Sequence, residues 1–253
     1  MPELLLFSNS VNHGRGFLDH GWEAVAEFLD GRDEVTFVPF AGGDRPAYTR
    51  RVADAFATQG LRVRGLPATD EAHAVLADSQ AVFVGGGNTF RLVDTLQRLD
   101  LMTALRGAVG AGLRYMGSSA GTNIAAPTLR TTNDMPIVEP PSFDTLGLLP
   151  FQINPHYLDA DPASTHQGET RETRLGEFLE VDDVDVLGLR EGTYLRVSGG
   201  GDGPAPHARI GGSAVQPGAP GPAVVFRRGV RPFEVSGDVT GLFSGRDGIG
   251  PAT

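Results

Sequence analysis

Gly117-Ser118-Ser119-Ala120-Gly121 is the stretch on which the reading of this chain turns. A short strand-like run, Leu113-Arg114-Tyr115-Met116, leads into it. The small residues Thr122-Asn123-Ile124-Ala125-Ala126 follow, with the makings of a helix. Strand, tight G-x-S-x-G turn and helix are the three parts of a nucleophile elbow. The glycines let the backbone turn sharply and push Ser119 into the open. The helix N-terminus then aims free N–H groups at whatever the serine attacks. Gly-Ser turns also serve as helix caps and phosphate cradles, so the pattern needs support from the rest of the chain.

Working back toward the N-terminus, strand-like and helix-like segments alternate. Glu3 to Ser8 reads as a buried strand, Asn9 to Gly16 as a polar loop, and Phe17 to Leu29 as a helix. Phe17, Leu18, Val25, Phe28 and Leu29 supply its apolar spacing. A strand over Glu34 to Phe40 ends in Ala41-Gly42-Gly43-Asp44, and Pro46 opens a helix to about Thr58. Leu61 to Leu66 is a strand and Asp70 to Ala77 a short helix. Gln80 to Val84 is a strand running into Gly85-Gly86-Gly87-Asn88, and helices follow over Thr89 to Arg98 and Leu101 to Val109. Such alternation predicts an α/β fold with a mostly parallel central sheet covered on both faces. Ligands on these sheets sit beyond the carboxyl ends of the strands, which is where both glycine loops fall.

Past the elbow the pattern loosens. Phe151-Gln152-Ile153 is a short strand into Asn154-Pro155-His156, Leu158 to Gln167 is loop, and Glu169 to Leu179 is a helix. Val184 to Leu189 and Thr193 to Val197 read as strands joined around Glu191-Gly192. Gly199 to Pro206 is a turn. Strands near Arg209, Val224-Val225-Phe226 and Phe233-Glu234-Val235 predict antiparallel additions to the sheet. The glycine-rich residues 238–253 read as a flexible tail. No repeat or boundary divides residues 1–253, so a single domain is expected.

Composition narrows the function. The formal net charge of −10 argues against nucleic acid, and no apolar run approaches the roughly 20 residues of a membrane span. Absence of cysteine removes disulfides and thiol nucleophiles. The N-terminus lacks a signal-peptide pattern, so a cytoplasmic setting is expected. Histidines without i, i+4 pairing give no metal-ligand set, and no cofactor is expected.

A serine nucleophile needs a base and a group to orient it. Among six histidines, His156 is best placed, after a strand and a stiffening proline, with His166 second. Two carboxylates compete as orienter. Asp134 sits in the polar turn after the elbow, where Asn-Asp before proline is also good turn chemistry. Glu191 precedes Gly192, and the residues alone favour a hairpin-turn role for it. The glycine loop ending at Gly87 either cradles a phosphate or pairs its N–H with that of Ala120 to bind an oxyanion. No Walker or dinucleotide motif supports the phosphate reading. The place of Arg171, at a helix start where the dipole disfavours a cation, hints at a paired or ligand-binding arginine; solvent exposure beside Glu169 and Glu172 is the default reading.

These residues resemble a known family. The run Tyr115 to Asn123, continued by Thr131-Thr132-Asn133-Asp134-Met135-Pro136-Ile137-Val138, is similar to peptidase E, the α-aspartyl dipeptidase family of serine peptidases. Ser8-Asn9-Ser10, Val84 to Phe90, Gln152 to His156, Gly168 to Glu172 and Glu191-Gly192 extend the likeness to about Ser198. The resemblance implies a three-layer α/β/α fold, flavodoxin-like and related to class I glutamine amidotransferases. It implies hydrolysis of small peptides with N-terminal aspartate. It makes Ser119 the nucleophile, His156 the base, and Asp134 or Glu191 the third member. Gly87, Asn88, Ala120 and Arg171 form the substrate-binding set, with Arg171 the arginine for the substrate aspartate carboxylate. The family usually has Trp where this chain has Ser118, which predicts an altered pocket wall and a decoy hydroxyl. Rival readings are a related hydrolase of β-aspartyl or cyanophycin-type linkages and a non-catalytic ligand-binding module. A homodimer is compatible with either.

Overall fold

Strand β1 (Leu4–Phe7) is buried along its whole length, and its alternating side chains feed two cores. The computed structural model describes residues 2–161, 163, 165, 167–199 and 206–250. In chain order the elements are α1 (Trp22–Leu29), β2 (Glu34–Val38), α2 (Arg45–Ala57), β3 (Arg62–Gly65), α3 (Glu71–Ala77), β4 (Ala81–Val84), α4 (Thr89–Arg98), α5 (Leu101–Gly110), β5 (Arg114–Ser118), α6 (Ala120–Asn123), β6 (Gln152–Tyr157), α7 (Arg171–Val181), β7 (Val186–Arg190), β8 (Thr193–Ser198), β9 (His207–Gly212), β10 (Ala223–Arg227) and β11 (Val230–Val235).

A seven-stranded sheet runs in the order β3-β2-β4-β5-β1-β8-β9. Its first five strands pair in parallel, and β8 and β9 add on antiparallel. Four of the parallel strands follow a 2-1-3-4 flavodoxin order, with β1 occupying the fifth place. One face packs Leu5, Phe7, Phe37 and Phe83 against α1 and α2 residues Phe28, Val52 and Phe56. The other packs Leu4, Leu6, Val82 and Val84 against Val75, Leu92, Leu96 and Leu105 of α3, α4 and α5. The result is the three-layer α/β/α arrangement. No helix among the described residues is long and apolar enough to cross a membrane.

Several expectations change. β10 and β11 do not extend the central sheet. They join β7 and β6 in a second, four-stranded sheet of order β11-β10-β7-β6, whose Ile153, Leu187 and Val225 belong to the core on the α3–α5 side. Helix α7 covers its outer face through Leu175 and Leu179. β7 and β8 are not a hairpin, because the chain leaves one sheet and enters the other at Glu191-Gly192. The helix expected from Phe17 starts only at Trp22, since Phe17 bridges to Val11 and Leu18 has φ 56°. Within the stretch read as a tail, Thr240–Asp247 form 3₁₀ turns and Val239 and Leu242 bury in the core; residues 251–253, and 200–205 of the expected turn, lie outside the described residues.

Candidate active site

Ser119 stands between β5 and α6 with φ 53° and ψ −109°, a conformation L-residues rarely hold unless their surroundings force it. Gly121 lets the turn close tightly onto β4. Its Cα presses on β4 so closely that a Cβ would lie 2.1 Å from the Val84 carbonyl oxygen. Ser119 N–H donates to the Phe7 carbonyl (3.1 Å), and the Tyr115 hydroxyl donates to the Gly121 carbonyl (2.6 Å), fixing the turn from both sides.

His156 is the bulged residue of β6. Pairing with β7 slips between Pro155 and Tyr157, and His156 itself has φ 53°. A bulge re-aims a side chain, and here it brings Nε2 to 2.9 Å from Ser119 Oγ. The other ring nitrogen, Nδ1, lies 2.5 Å from Glu191 Oε1. An ionised carboxylate only accepts, so Nδ1 carries the proton and Nε2 accepts from the serine hydroxyl. That hydrogen bond is the leading cause holding the Glu191 carboxyl below its ordinary value; burial pushes it the other way.

Asp134 is not on the imidazole. Its Oδ2 accepts from the Thr89 N–H (2.7 Å), the Thr89 hydroxyl (2.6 Å) and the Thr132 hydroxyl (3.2 Å), which ties the polar turn to the start of α4. Asn88 lines neither of the two cavities that reach Ser119. It caps α4, accepting from Arg91 N–H (3.0 Å), and donates to the Met135 carbonyl. Ser118 lines no cavity wall: it is fully buried beneath the turn. His166 lies outside the described residues.

Two cavities meet at Ser119 and His156. One, of about 450 Å³, is lined by Ala120, Asp134, Arg171 and Glu191. Arg171 opens α7 and makes no ion pair among the described residues. Burial first, then Arg174, holds its guanidinium below the ordinary value, and Asp134 pulls it back up. The second cavity, of about 620 Å³, is lined by Asn9, Ser10, Asp44, Tyr48, Arg51 and Gly87, from loops after β1, β2 and β4 and the first turns of α2. Gly87 has φ 131°, and a Cβ there would sit 2.5 Å from the Ala41 carbonyl oxygen. Gly87 and Ala120 N–H groups donate to no other group among the described residues, leaving two donors beside the serine.

Sequence reasoning missed two supports. Ser8 Oγ accepts from the His156 N–H (2.9 Å) and donates to the Leu189 carbonyl (2.8 Å). Asn9 Oδ1 accepts from the Gly192 N–H (2.8 Å), next to Glu191. The buried polar pair directly after an apolar strand was the available signal.

A strained serine at a strand–helix turn, an imidazole on its hydroxyl and a carboxylate on that imidazole define the serine-hydrolase class of site on a flavodoxin-like α/β fold. The comparisons agree with it. The sequence profile of Peptidase family S51 matches residues 4–202, and the chain belongs to that family. It is 56% identical over 233 residues to "Peptidase E" of Streptomyces coelicolor, covering 92% of this chain and 90% of that protein. It is 47% identical over 199 residues to "Probable alpha-aspartyl dipeptidase" of Drosophila melanogaster, covering 78% and 83%. A crystal structure of a peptidase from an acI-B1 Actinobacterium superposes with TM-score 0.64 at 17% identity, covering 93% and 94% of the two chains, a likeness of fold.

Proposed function

We propose that this chain is a serine dipeptidase that hydrolyses Asp-X dipeptides through an acyl-enzyme. Ser119 Oγ attacks the carbonyl carbon of the N-terminal aspartate, and His156 Nε2 takes the hydroxyl proton. The imidazolium then gives that proton to the departing amine as the peptide C–N bond breaks. Water, deprotonated by the same nitrogen, attacks the acyl ester and releases aspartate. Glu191 keeps the imidazole in the correct tautomer and stabilises its charged form. The Gly87 and Ala120 N–H groups receive the negative oxygen of each tetrahedral intermediate. Arg171 takes the aspartate side chain as a charge-assisted pair.

The observation that carries the reading is the Ser119–His156–Glu191 relay opening on a cavity lined by Arg171, which makes no ion pair among the described residues. The names "Peptidase E" and "alpha-aspartyl dipeptidase" on the relatives support the same substrate. Turnover of Asp-Leu by wild type against Ser119→Ala tests it, with an expected loss on the order of 10⁴–10⁶-fold in kcat. Leaving Arg171 unpaired costs roughly 2–5 kcal/mol, so Asn-Leu should be about two to three orders of magnitude poorer than Asp-Leu. Equal rates on the two dipeptides would remove the role of Arg171, and an active alanine variant would remove the mechanism. The proposal keeps the cytoplasmic setting and small-peptide substrate read from the sequence; cell fractionation checks the first.

A further inference from the structure

The larger of the two cavities does not hold Arg171, yet it shares Ser119 and His156 with the one that does. If the aspartyl half of a dipeptide lies toward Arg171, the leaving residue must lie in this second space, which follows from the dipeptidase reading above. Whatever its side chain, that residue carries one constant group, a free α-carboxylate two bonds from the scissile nitrogen. A site that prefers dipeptides needs a cation there.

Two charged side chains line this cavity, and their engagements differ. Asp44 caps α2, its Oδ1 accepting from the Ala47 N–H at 2.9 Å. Arg51 has no acidic partner among the described residues. Its guanidinium lies 4.9 Å from the centre of the Tyr48 ring. Tyr48 is in turn buried, and its hydroxyl reaches the glycine loop, where a Cβ on Gly85 would lie 2.6 Å from it. The arginine is therefore an exposed cation resting on a fixed aromatic platform whose far edge is the glycine loop beside Ser119.

We propose that Arg51 is the specificity-determining residue that binds the α-carboxylate of the leaving amino acid. A planar guanidinium suits a carboxylate in a two-pronged pair. Stacking on Tyr48 reduces the side-chain freedom lost on binding. A tripeptide moves the terminal carboxylate outward by about 3.3–3.6 Å, away from the stacked guanidinium, so the same contact ranks dipeptides above longer peptides.

The test compares Asp-Leu with Asp-Leu-amide, which share the aspartate and the scissile bond and differ only in the terminal charge. For wild type, kcat/KM should favour the acid by about 10–100-fold, the range for a hydrogen bond to a charged group, with the difference mainly in KM. In Arg51→Gln the ratio should fall toward one. Arg51→Lys, which keeps the charge, should retain part of it. A ratio near one in wild type, or a wild-type ratio preserved in Arg51→Gln, overturns the proposal. Failure of wild type to cleave either compound would sink the dipeptidase reading itself, a result distinct from cleavage of both without preference.

Discussion

The seven-stranded and four-stranded sheets contribute to the site in different ways. Ser119 and the proposed oxyanion donors, Gly87 and Ala120, sit at the carboxyl ends of β4 and β5, each a few residues from the strand that places it. His156 and Glu191 belong to the small sheet, on a bulge in β6 and just past β7. The bond from Ser119 to His156 is therefore an inter-sheet distance. It is maintained by side chains from the end of β1: Ser8 holds the His156 backbone and Asn9 holds Gly192. Behind them Arg190, its side chain fully buried, ties Asp159, Glu234 and the Gly221 carbonyl together, stiffening the strand that ends at Glu191. Nucleophile placement is a local matter in this molecule, and base placement is a matter of docking.

Replacing each of the two candidate carboxylates gives the sharpest contrast between the regions. Glu191→Gln leaves the shape but removes the charge on Nδ1, and kcat should fall about 10³–10⁴-fold. Asp134→Asn loosens the polar turn against α4 and should cost about 1 kcal/mol of stability, as for a helix cap, with kcat reduced far less. Equal, mild losses would break the assignment. The Glu191 effect also carries a pH signature. A carboxyl held below its ordinary value contributes stability that is complete above the unfolded-state pKa and is lost as pH falls through the folded-state one. The gap in Tm between wild type and Glu191→Gln should thus be full at neutral pH and close on acidification below about pH 4.

Next in size is the hinge between the sheets. Ser8→Ala removes an acceptor from the part-buried His156 N–H and a donor from the buried Leu189 carbonyl. Leaving such groups unpaired costs about 1–3 kcal/mol. If inter-sheet docking sets the serine–imidazole distance, kcat should drop about tenfold while KM for Asp-Leu changes little, since Arg171 is untouched. A stability loss with unchanged kcat would mean that the hydroxyl holds the sheets together without setting the reactive geometry.

The same contrast explains what was legible in the chain. The large sheet is built from consecutive strand–helix units, so periodicity and glycine punctuation locate β2 to β5 within a few residues, and the elbow with them. The small sheet gathers strands from residue 152 to 235, with one parallel and two antiparallel pairings. No local pattern distinguishes an antiparallel extension of one sheet from a second sheet. That is why Glu191-Gly192 reads as a hairpin turn in sequence, although the residue crosses between sheets and meets His156. Asp134 and Asn88 were legible as polar residues near the site, but their partners are backbone N–H groups at the start of α4, which only the fold brings close. The buried orphan hydroxyl of Ser118 was invisible for the same reason: strand alternation gives its face but not the depth of cover.

Ser118 supplies the smallest predicted effect and a check on the elbow itself. It neighbours Ser119 on the same turn, but it lies opposite Phe7 in the β1–β5 ladder and is completely buried, with no hydrogen-bond partner for its hydroxyl among the described residues. A buried, unpartnered hydroxyl pays its desolvation cost without return, so Ser118→Ala should be neutral or stabilising, by about 1 kcal/mol at most. That corresponds to a rise in Tm of about 2–4 °C, read by thermal unfolding, with kcat on Asp-Leu within about twofold of wild type. Labelling by a serine-directed covalent probe should likewise survive Ser118→Ala and vanish in Ser119→Ala. The reverse pattern would place the reactive hydroxyl one residue earlier, on the buried side of the strand, and the large sheet would no longer present its nucleophile toward the imidazole of the small one.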